Sequence, residues 1–167
     1  RHYVDLNTLK MIYHGIFSSI LLYSSLIWGQ KVNIVDKLQI IQNKALRIIN
    51  FQHNRSSATP LHKSCKILKL SDNVKLQNFL FAYDSVNRLL PSPLNNLFSF
   101  YDSNHNTRTE NLPILKRTQT RTILYGSNSI KSKVVDTWNH FSLNYVDKQL
   151  HLKSRSICKR FISNVLL

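Results

Sequence analysis

The stretch IVDKLQIIQNKALRIINF, residues 34–51, decides the fold class of this 167-residue chain. Its apolar residues recur every three or four positions, the period of one side of an α-helix, and they predict an amphipathic helix over about Val35–Phe51. Lys37, Lys44 and Arg47 fall together on the opposite side of that helix, because seven residues make nearly two turns. The expected core positions are Ile34, Leu38, Ile41, Ala45, Ile48 and Ile49.

The residues before this stretch predict a more apolar helix. Asp5 or Asn7 is placed to cap it, and it is expected to end near Gly29. No residue from Met11 to Gly29 carries a formal charge, so a membrane span is the alternative interpretation. The serines, glycine and histidine within the run favour a buried core helix instead. The expected core positions are Leu9, Ile12, Ile16, Ile20, Tyr23 and Ile27.

The residues that follow predict two more helices of the same bundle. Pro60 suits the first turn of a short helix through Leu68, and Ser71 or Asp72 can cap a longer one that ends before Pro91. The apolar residues of this third amphipathic helix include Val74, Phe79, Tyr83 and Val86.

Periodicity disappears over about residues 99–122, where asparagine, threonine and arginine dominate, and it returns in Ile130–Phe141 and Leu152–Leu167. The predicted fold is therefore mainly α. A helical bundle (1–98) is followed by an extended basic loop or linker (99–125) and a smaller helical, basic C-terminal part (126–167).

The charge balance points to a polyanionic partner. The chain has 23 Lys and Arg against 8 Asp and Glu, a formal net charge of +15. Such a surplus disfavours the compact state by self-repulsion and is typical of proteins that bind nucleic acid or an anionic membrane. The 43% hydrophobic content still allows a core, unlike a disordered basic tail. Two distant cysteines, Cys65 and Cys158, indicate a reducing compartment and no disulfide scaffold.

Several enzyme classes find no support in the residues. Three glycines in the chain cannot form a phosphate-cradling loop, and the eight carboxylates are scattered singly, unlike a two-metal centre. No Gly-x-Ser-x-Gly elbow is present. His62 with Cys65, and His151 with Cys158, are lone pairs without the spacing of a structural zinc site, so we expect no metal or cofactor in this chain.

The remaining chemistry is a basic surface. Arginine binds phosphate through two hydrogen bonds, lysine contributes a point charge, and neighbouring Asn and Thr side chains complete backbone contacts. Tyr125, Trp138 and Phe141 could stack on bases, although their spacing favours core packing. The candidate nucleic-acid-binding residues are Lys37, Lys44, Arg47, Arg55, Arg108, Lys116, Arg117, Arg121, Lys131 and Lys133.

Many short blocks follow one another along nearly the whole chain. The first blocks are Ile12-Tyr13, Leu22-Tyr23, Ile27-Trp28-Gly29, Leu38-Gln39, Gln42 and Leu46-Arg47-Ile48-Ile49. The next are Thr59-Pro60-Leu61, Leu68-Lys69-Leu70, Asp72, Leu76-Gln77 and Leu90-Pro91. The last are His105-Asn106-Thr107-Arg108, Arg121-Thr122, Gly126, Ser129-Ile130, Trp138-Asn139 and Lys159-Arg160-Phe161. The order of these blocks resembles the region downstream of the catalytic palm in reverse transcriptases of non-LTR retrotransposons, particularly the jockey-like elements.

The resemblance implies that the bundle is thumb-like and grips a template and primer duplex, whose paired catalytic aspartates and Mg²⁺ belong to an upstream palm. Because the chain opens on Arg1, we expect it to be a segment of such a polypeptide, not catalytic by itself, with the palm and fingers as partners and an intracellular, nuclear location. The expected ligands are RNA, DNA or their hybrid.

The alternative function is a cationic module that binds another protein or a membrane surface and has no role in polymerisation. In that case the basic stretch Leu152–Leu167 would lie on anionic lipid as an amphipathic helix.

Overall fold

The computed structural model describes residues 4–101, 113–145 and 149–167. Within these ranges the chain is mainly helical and has no β-strand, which confirms the predicted fold class. The α-helices are α1 (Leu6–Ile12), α2 (Ser19–Leu22), α3 (Ser25–Trp28), α4 (Val32–Ile49), α5 (Thr59–Cys65), α6 (Leu70–Val86), α7 (Ser92–Asn95), α8 (Ile130–Asn144) and α9 (Arg155–Leu166). Wider π-helical turns span Tyr13–Ser18 and Ile123–Ser127, and a 3₁₀ turn spans Leu150–Leu152.

The chain forms two compact units. Unit 1 comprises Arg1–Val74 and Ser163–Leu167, and unit 2 comprises Lys75–Ile162. The division falls within α6 and within α9, so it does not coincide with the boundaries at residues 98 and 125 that the sequence suggests.

The first helical stretch of unit 1 keeps one side buried by changing its pitch. Asp5 caps α1, as predicted, by accepting hydrogen bonds from the backbone N–H groups of Asn7 and Thr8. Four core-facing side chains, Leu9, Tyr13, Phe17 and Leu21, then follow at intervals of four residues. An α-helix cannot hold a four-residue repeat on one side, but a π turn, with its i→i+5 hydrogen bonds, winds more slowly and realigns the side chains.

The predicted core of this stretch is wrong in part. Ile12, Ile16 and Ile20 are 49%, 62% and 69% exposed, and Tyr23 and Ile27 are exposed as well. The isoleucines repeat at the same four-residue interval as the buried set but one residue earlier, so they lie on a neighbouring side of the helix. The run is also interrupted, because Ser24 adopts a left-handed conformation with φ 51° between α2 and α3.

The buried side of α4 also differs from the prediction. Val35, Gln42, Leu46 and Ile49 are buried, whereas three expected core residues are exposed: Ile34, Ile41 and Ile48. The physical reason is Gln42, which is fully buried and donates hydrogen bonds of 2.9 Å to the Tyr13 hydroxyl and to the Leu68 carbonyl oxygen. Pairing these buried polar groups turns α4 by about one residue relative to its apolar stripe.

A close approach within unit 1 requires Gly29. A Cβ at this position would lie 2.3 Å from the Ser25 carbonyl oxygen and 2.6 Å from a methyl carbon of Val74 in α6. Any side chain here would push α3 and the first turn of α6 apart.

Aromatic packing between α6 and α8 forms the centre of unit 2. Phe79 of α6 stacks on Trp138 with ring centroids 5.1 Å apart and meets Phe141 edge to face at 5.5 Å. Trp138 and Phe79 are fully buried, and Phe141 is 3% exposed. The core role that spacing favoured for Trp138 and Phe141 is therefore confirmed.

The segment before α8 is fastened to the core of unit 2. Trp138 donates its indole N–H to the Pro113 carbonyl oxygen at 2.7 Å. Phe100 and Leu115 form an isolated antiparallel bridge, with the Tyr101 N–H bonded to the Ile114 oxygen and the Lys116 N–H to the Ser99 oxygen, each at 2.8 Å. Residues 113–116 are thus held in place, even though they belong to the stretch without sequence periodicity.

The start of α9 is held to α6 in unit 2. Arg155 pairs with Asp84 through two hydrogen bonds, Nε to Oδ1 at 2.8 Å and a terminal nitrogen to Oδ2 at 3.1 Å. The hydrogen bond to Asp84 raises the pKa of Arg155 further. The Tyr83 hydroxyl donates to the Lys153 carbonyl oxygen just before the helix.

Candidate nucleic-acid interface

Two of the predicted phosphate-binding residues lie together on α4. Lys37 and Lys44 are both exposed, and seven residues separate them, which is about 10 Å along the helix axis at 1.5 Å per residue. Ile41, 47% exposed, lies between them on the same side. The helix therefore presents two cations in line, with apolar surface between them.

Arg47, the third cation predicted for this side, has a different role. Its side chain is half-buried, and its Nε donates a 2.8 Å hydrogen bond to the Ser56 carbonyl oxygen. Arg47, which the sequence predicts to be exposed beside the lysines, is therefore covered in part, because the loop after α4 folds back over the last turn of the helix. Arg55, in that loop, is exposed.

A second group of cations lies in unit 2. Lys116, Arg117 and Arg121 are all exposed on the segment that follows the Phe100–Leu115 bridge. Arg117 is paired with Asp136 of α8, with 3.1 Å between Nε and Oδ1 and 3.3 Å between a terminal nitrogen and Oδ2. Because both side chains are solvent-accessible, at 68% and 38%, this ion pair is screened and leaves much of the guanidinium available.

The other candidates do not join either group. Lys131 and Lys133 are half-buried, and two residues on a helix are about 200° apart around the axis, so α8 directs them to nearly opposite sides. Arg108 lies outside the described residues.

His62, one of the zinc candidates, belongs to a buried polar network. Its Nδ1 lies 2.9 Å from the Ile67 carbonyl oxygen and its Nε2 lies 3.0 Å from Asn43 Oδ1. Gln39 Nε2 donates to Asn43 Oδ1 at 3.0 Å, while Gln39 Oε1 accepts from the Leu70 N–H at 2.7 Å. Burial lowers the pKa of His62. The network ties α4, α5 and the start of α6 together, and both ring nitrogens of His62 are engaged in it.

Cys158, in the other zinc candidate pair, is also occupied. Its thiol is fully buried and donates to the Leu150 carbonyl oxygen at 3.0 Å, and burial raises its pKa. Across residues 4–101, 113–145 and 149–167, no three His, Cys, Asp or Glu side chains come together as metal ligands. Over the same ranges, no helix is long and apolar enough to cross a membrane.

Neither a protein-family model, nor a curated protein, nor a solved structure matches this chain. The case for its function therefore depends on the residues themselves and on where the fold places them.

Two features of the surface escaped the sequence analysis. The first is the row of exposed isoleucines on α4, Ile34, Ile41 and Ile48. Their spacing is typical of core residues, and the burial of Gln42 on the other side of the helix is what leaves them exposed. The second is the exposure of Tyr125: it is 89% exposed, so the core packing that spacing favoured is wrong for this residue, although it is right for Trp138 and Phe141. Its position before the α8 pattern, outside any helical period, is the one signal that could have separated it from them.

Proposed function

We propose that this chain holds nucleic acid by its phosphate backbone, as the thumb and C-terminal segment of a non-LTR retrotransposon reverse transcriptase. The ligand would be RNA, DNA or an RNA–DNA hybrid, and the palm and fingers of the polymerase would be its protein partners. The observation that carries the proposal is the paired exposure of Lys37 and Lys44 on one side of α4, in a chain with a net charge of +15.

The form of this surface favours backbone contacts over base reading. Lysine ammonium groups are point charges that position phosphates and carry no sequence information. Between the two lysines this side of α4 presents the exposed side chains of Ile40 and Ile41, which have no polar group for reading base edges. Affinity should therefore depend on duplex shape and on salt and hardly on sequence.

Mg²⁺, in this proposal, belongs to the paired aspartates of the palm. The described residues of this chain bring no carboxylate cluster together, so no catalytic step is assigned to them.

Binding of a labelled RNA–DNA hybrid at several salt concentrations tests the proposal. The affinity should fall steeply with salt, and Lys37→Ala with Lys44→Ala should reduce the slope of log K against log salt by roughly 0.7–0.9 for each phosphate that the double variant no longer binds. Arg47 is left intact, because its bond to Ser56 supports the fold.

A matched control is Lys63→Ala with Lys69→Ala, which removes the same charge from two other exposed lysines of unit 1. If both double variants lose affinity equally, the binding follows net charge alone and the site on α4 is refuted. Absent or salt-independent binding would refute the proposal as a whole.

The second candidate, a protein- or membrane-binding module, draws support from exposed apolar residues beside the cations. Ile34, Ile41 and Ile48 flank the lysines of α4, and Ile157 and Val165 are exposed on the basic helix α9. Flotation with phosphatidylserine vesicles separates the two functions, since a membrane-surface module should stay on the vesicles when hybrid is added, whereas the nucleic-acid proposal predicts that the hybrid releases the chain.

A further inference from the structure

A polar groove lies along residues 117–121 of unit 2. It encloses about 760 Å³ and is lined by Arg117, Thr118, Gln119, Thr120 and Arg121, all of them exposed. The side chains comprise two guanidinium groups, two hydroxyls and an amide. These are the groups that hold a phosphate–sugar backbone in protein complexes with nucleic acid.

An exposed aromatic ring stands next to this groove in the chain. Tyr125, on the π turn Ile123–Ser127, is 89% exposed, and Ile123 on the same turn is 74% exposed. The ring of Tyr125 is therefore open to a ligand that lies along the cationic segment.

The turn that carries Tyr125 is fastened to the wall of the groove. A Cβ on Gly126 would lie 2.6 Å from Cβ of Thr120, so the backbone of the turn packs directly on the groove segment. The Gly126 carbonyl oxygen also accepts a 2.9 Å hydrogen bond from the Ser132 hydroxyl of α8. Tyr125 is therefore held next to the groove by its neighbour in the chain and does not extend from a loose loop.

The groove and ring together match one class of ligand. We propose that they bind a single-stranded segment of RNA or DNA, with one base stacked on Tyr125 and the adjoining phosphates on Arg121 and the Thr118 and Thr120 hydroxyls. A flat ring stacks on the uncovered face of a base, and a single strand offers such a face at every base, whereas a duplex offers one only at each end.

This inference rests on the proposed nucleic-acid function but assigns a different site. Lys37 and Lys44 belong to unit 1 and would hold a duplex, whereas Tyr125 and residues 117–121 belong to unit 2 and would hold an unpaired strand. The two sites can therefore fail independently.

The test compares a labelled ten-nucleotide oligoadenylate with a blunt RNA–DNA hybrid of equal length. Tyr125→Ala should weaken binding of the oligoadenylate roughly tenfold, since stacking on one aromatic side chain is worth about 1–3 kcal/mol per base. Tyr125→Phe should restore the affinity, because the ring and not the hydroxyl forms the contact. The affinity for the hybrid should stay unchanged in both variants.

Tyr23→Ala is the matched control, since Tyr23 is 79% exposed in unit 1, and it should leave binding of the oligoadenylate unchanged. The proposal is overturned if Tyr125→Ala binds the oligoadenylate like the parent protein, if Tyr23→Ala causes the same loss, or if Tyr125→Phe does not restore binding. If the hybrid does not bind but oligoadenylate binding depends on Tyr125, the duplex site on α4 fails and the single-strand site stands.

Discussion

Asn139 bonds both backbone groups of Leu115 through its side-chain amide. Its Oδ1 accepts from the Leu115 N–H and its Nδ2 donates to the Leu115 carbonyl oxygen, both at 2.9 Å. The amide replaces the strand neighbour that Leu115, 1% exposed, lacks on that side. With the Trp138–Pro113 bond, this pair explains how a segment without periodicity is held against α8.

Removing this amide should destabilise the protein. Asn139→Ala leaves the buried N–H and C=O of Leu115 without their partner, and we expect a loss of about 2–4 kcal/mol in the free energy of unfolding by urea titration. Asn144→Ala, at the exposed end of the same helix, is the control and should change stability by less than about 0.5 kcal/mol. Equal effects of the two substitutions would show that the amide bridge contributes nothing.

Gln42 should be more important to unit 1 than the exposed isoleucines of α4. Gln42→Leu leaves the Tyr13 hydroxyl and the Leu68 carbonyl oxygen without the hydrogen-bond donor that Gln42 supplies. We expect the free energy of unfolding to fall by about 2–3 kcal/mol in the same titration. Gln52→Leu, at an exposed position, should be nearly neutral. A neutral or stabilised Gln42→Leu variant would contradict the contribution of these two hydrogen bonds to stability.

Replacing Lys66 by glycine should stabilise the protein against thermal unfolding. Lys66 ends α5 in a left-handed conformation, φ 54° and ψ 40°, which costs a residue with a Cβ about 1 kcal/mol. Lys66→Gly should therefore raise the thermal midpoint of unfolding. Lys63→Gly, within α5, should lower the midpoint, because glycine inside a helix costs about 0.5–1 kcal/mol of stability. A lowered midpoint for Lys66→Gly would mean that the Lys66 side chain makes a compensating contact.

Lowering the pH should reduce the free energy of unfolding, because His62 is buried in the folded chain. Burial lowers the pKa of His62 below its ordinary value of 6.5, and it outweighs the hydrogen bond to the Ile67 carbonyl oxygen, which acts in the opposite direction. Between the folded and unfolded pKa values the unfolded chain binds more protons, so the contribution is full above pH 6.5 and is lost as the pH falls through this interval.

Urea titrations at several pH values between 5 and 8 check this effect. His62→Gln should flatten the part of the stability profile just below pH 6.5. A profile that His62→Gln does not alter would refute the role of His62.

The positions of the longer helices α4, α6 and α8 were predictable from the sequence, whereas their orientation and the breaks in the first helical stretch were not. The period over residues 34–51 located α4 correctly, but the side that faces the core depends on partners far away in the chain, such as Tyr13 and Leu68 for Gln42. In α6, side chains such as Leu76, Phe79 and Ala82 are buried around most of the helix, so no single apolar stripe marks its orientation.

The candidate site was predictable to a similar degree. Charge and helical period identified Lys37 and Lys44, because a surface cation needs no specific partner. The bond of Arg47 to Ser56 and the pairing of Arg117 with Asp136 depend on loop geometry and tertiary packing, which no local pattern encodes.

The wide turn at Tyr13–Ser18 accommodates one amino acid more than a regular α-helix would need. Ser19 places its hydroxyl 2.7 Å from the Gly15 carbonyl oxygen and 2.8 Å from that of Ile16, where the slower winding ends. Deleting a single amino acid between Tyr13 and Phe17 would leave intervals of four, three and four residues between the core-facing side chains, which an ordinary α-helix keeps on one side. The same interior would then form without the wide turn, so this part of the helix should tolerate a one-residue deletion better than a one-residue insertion.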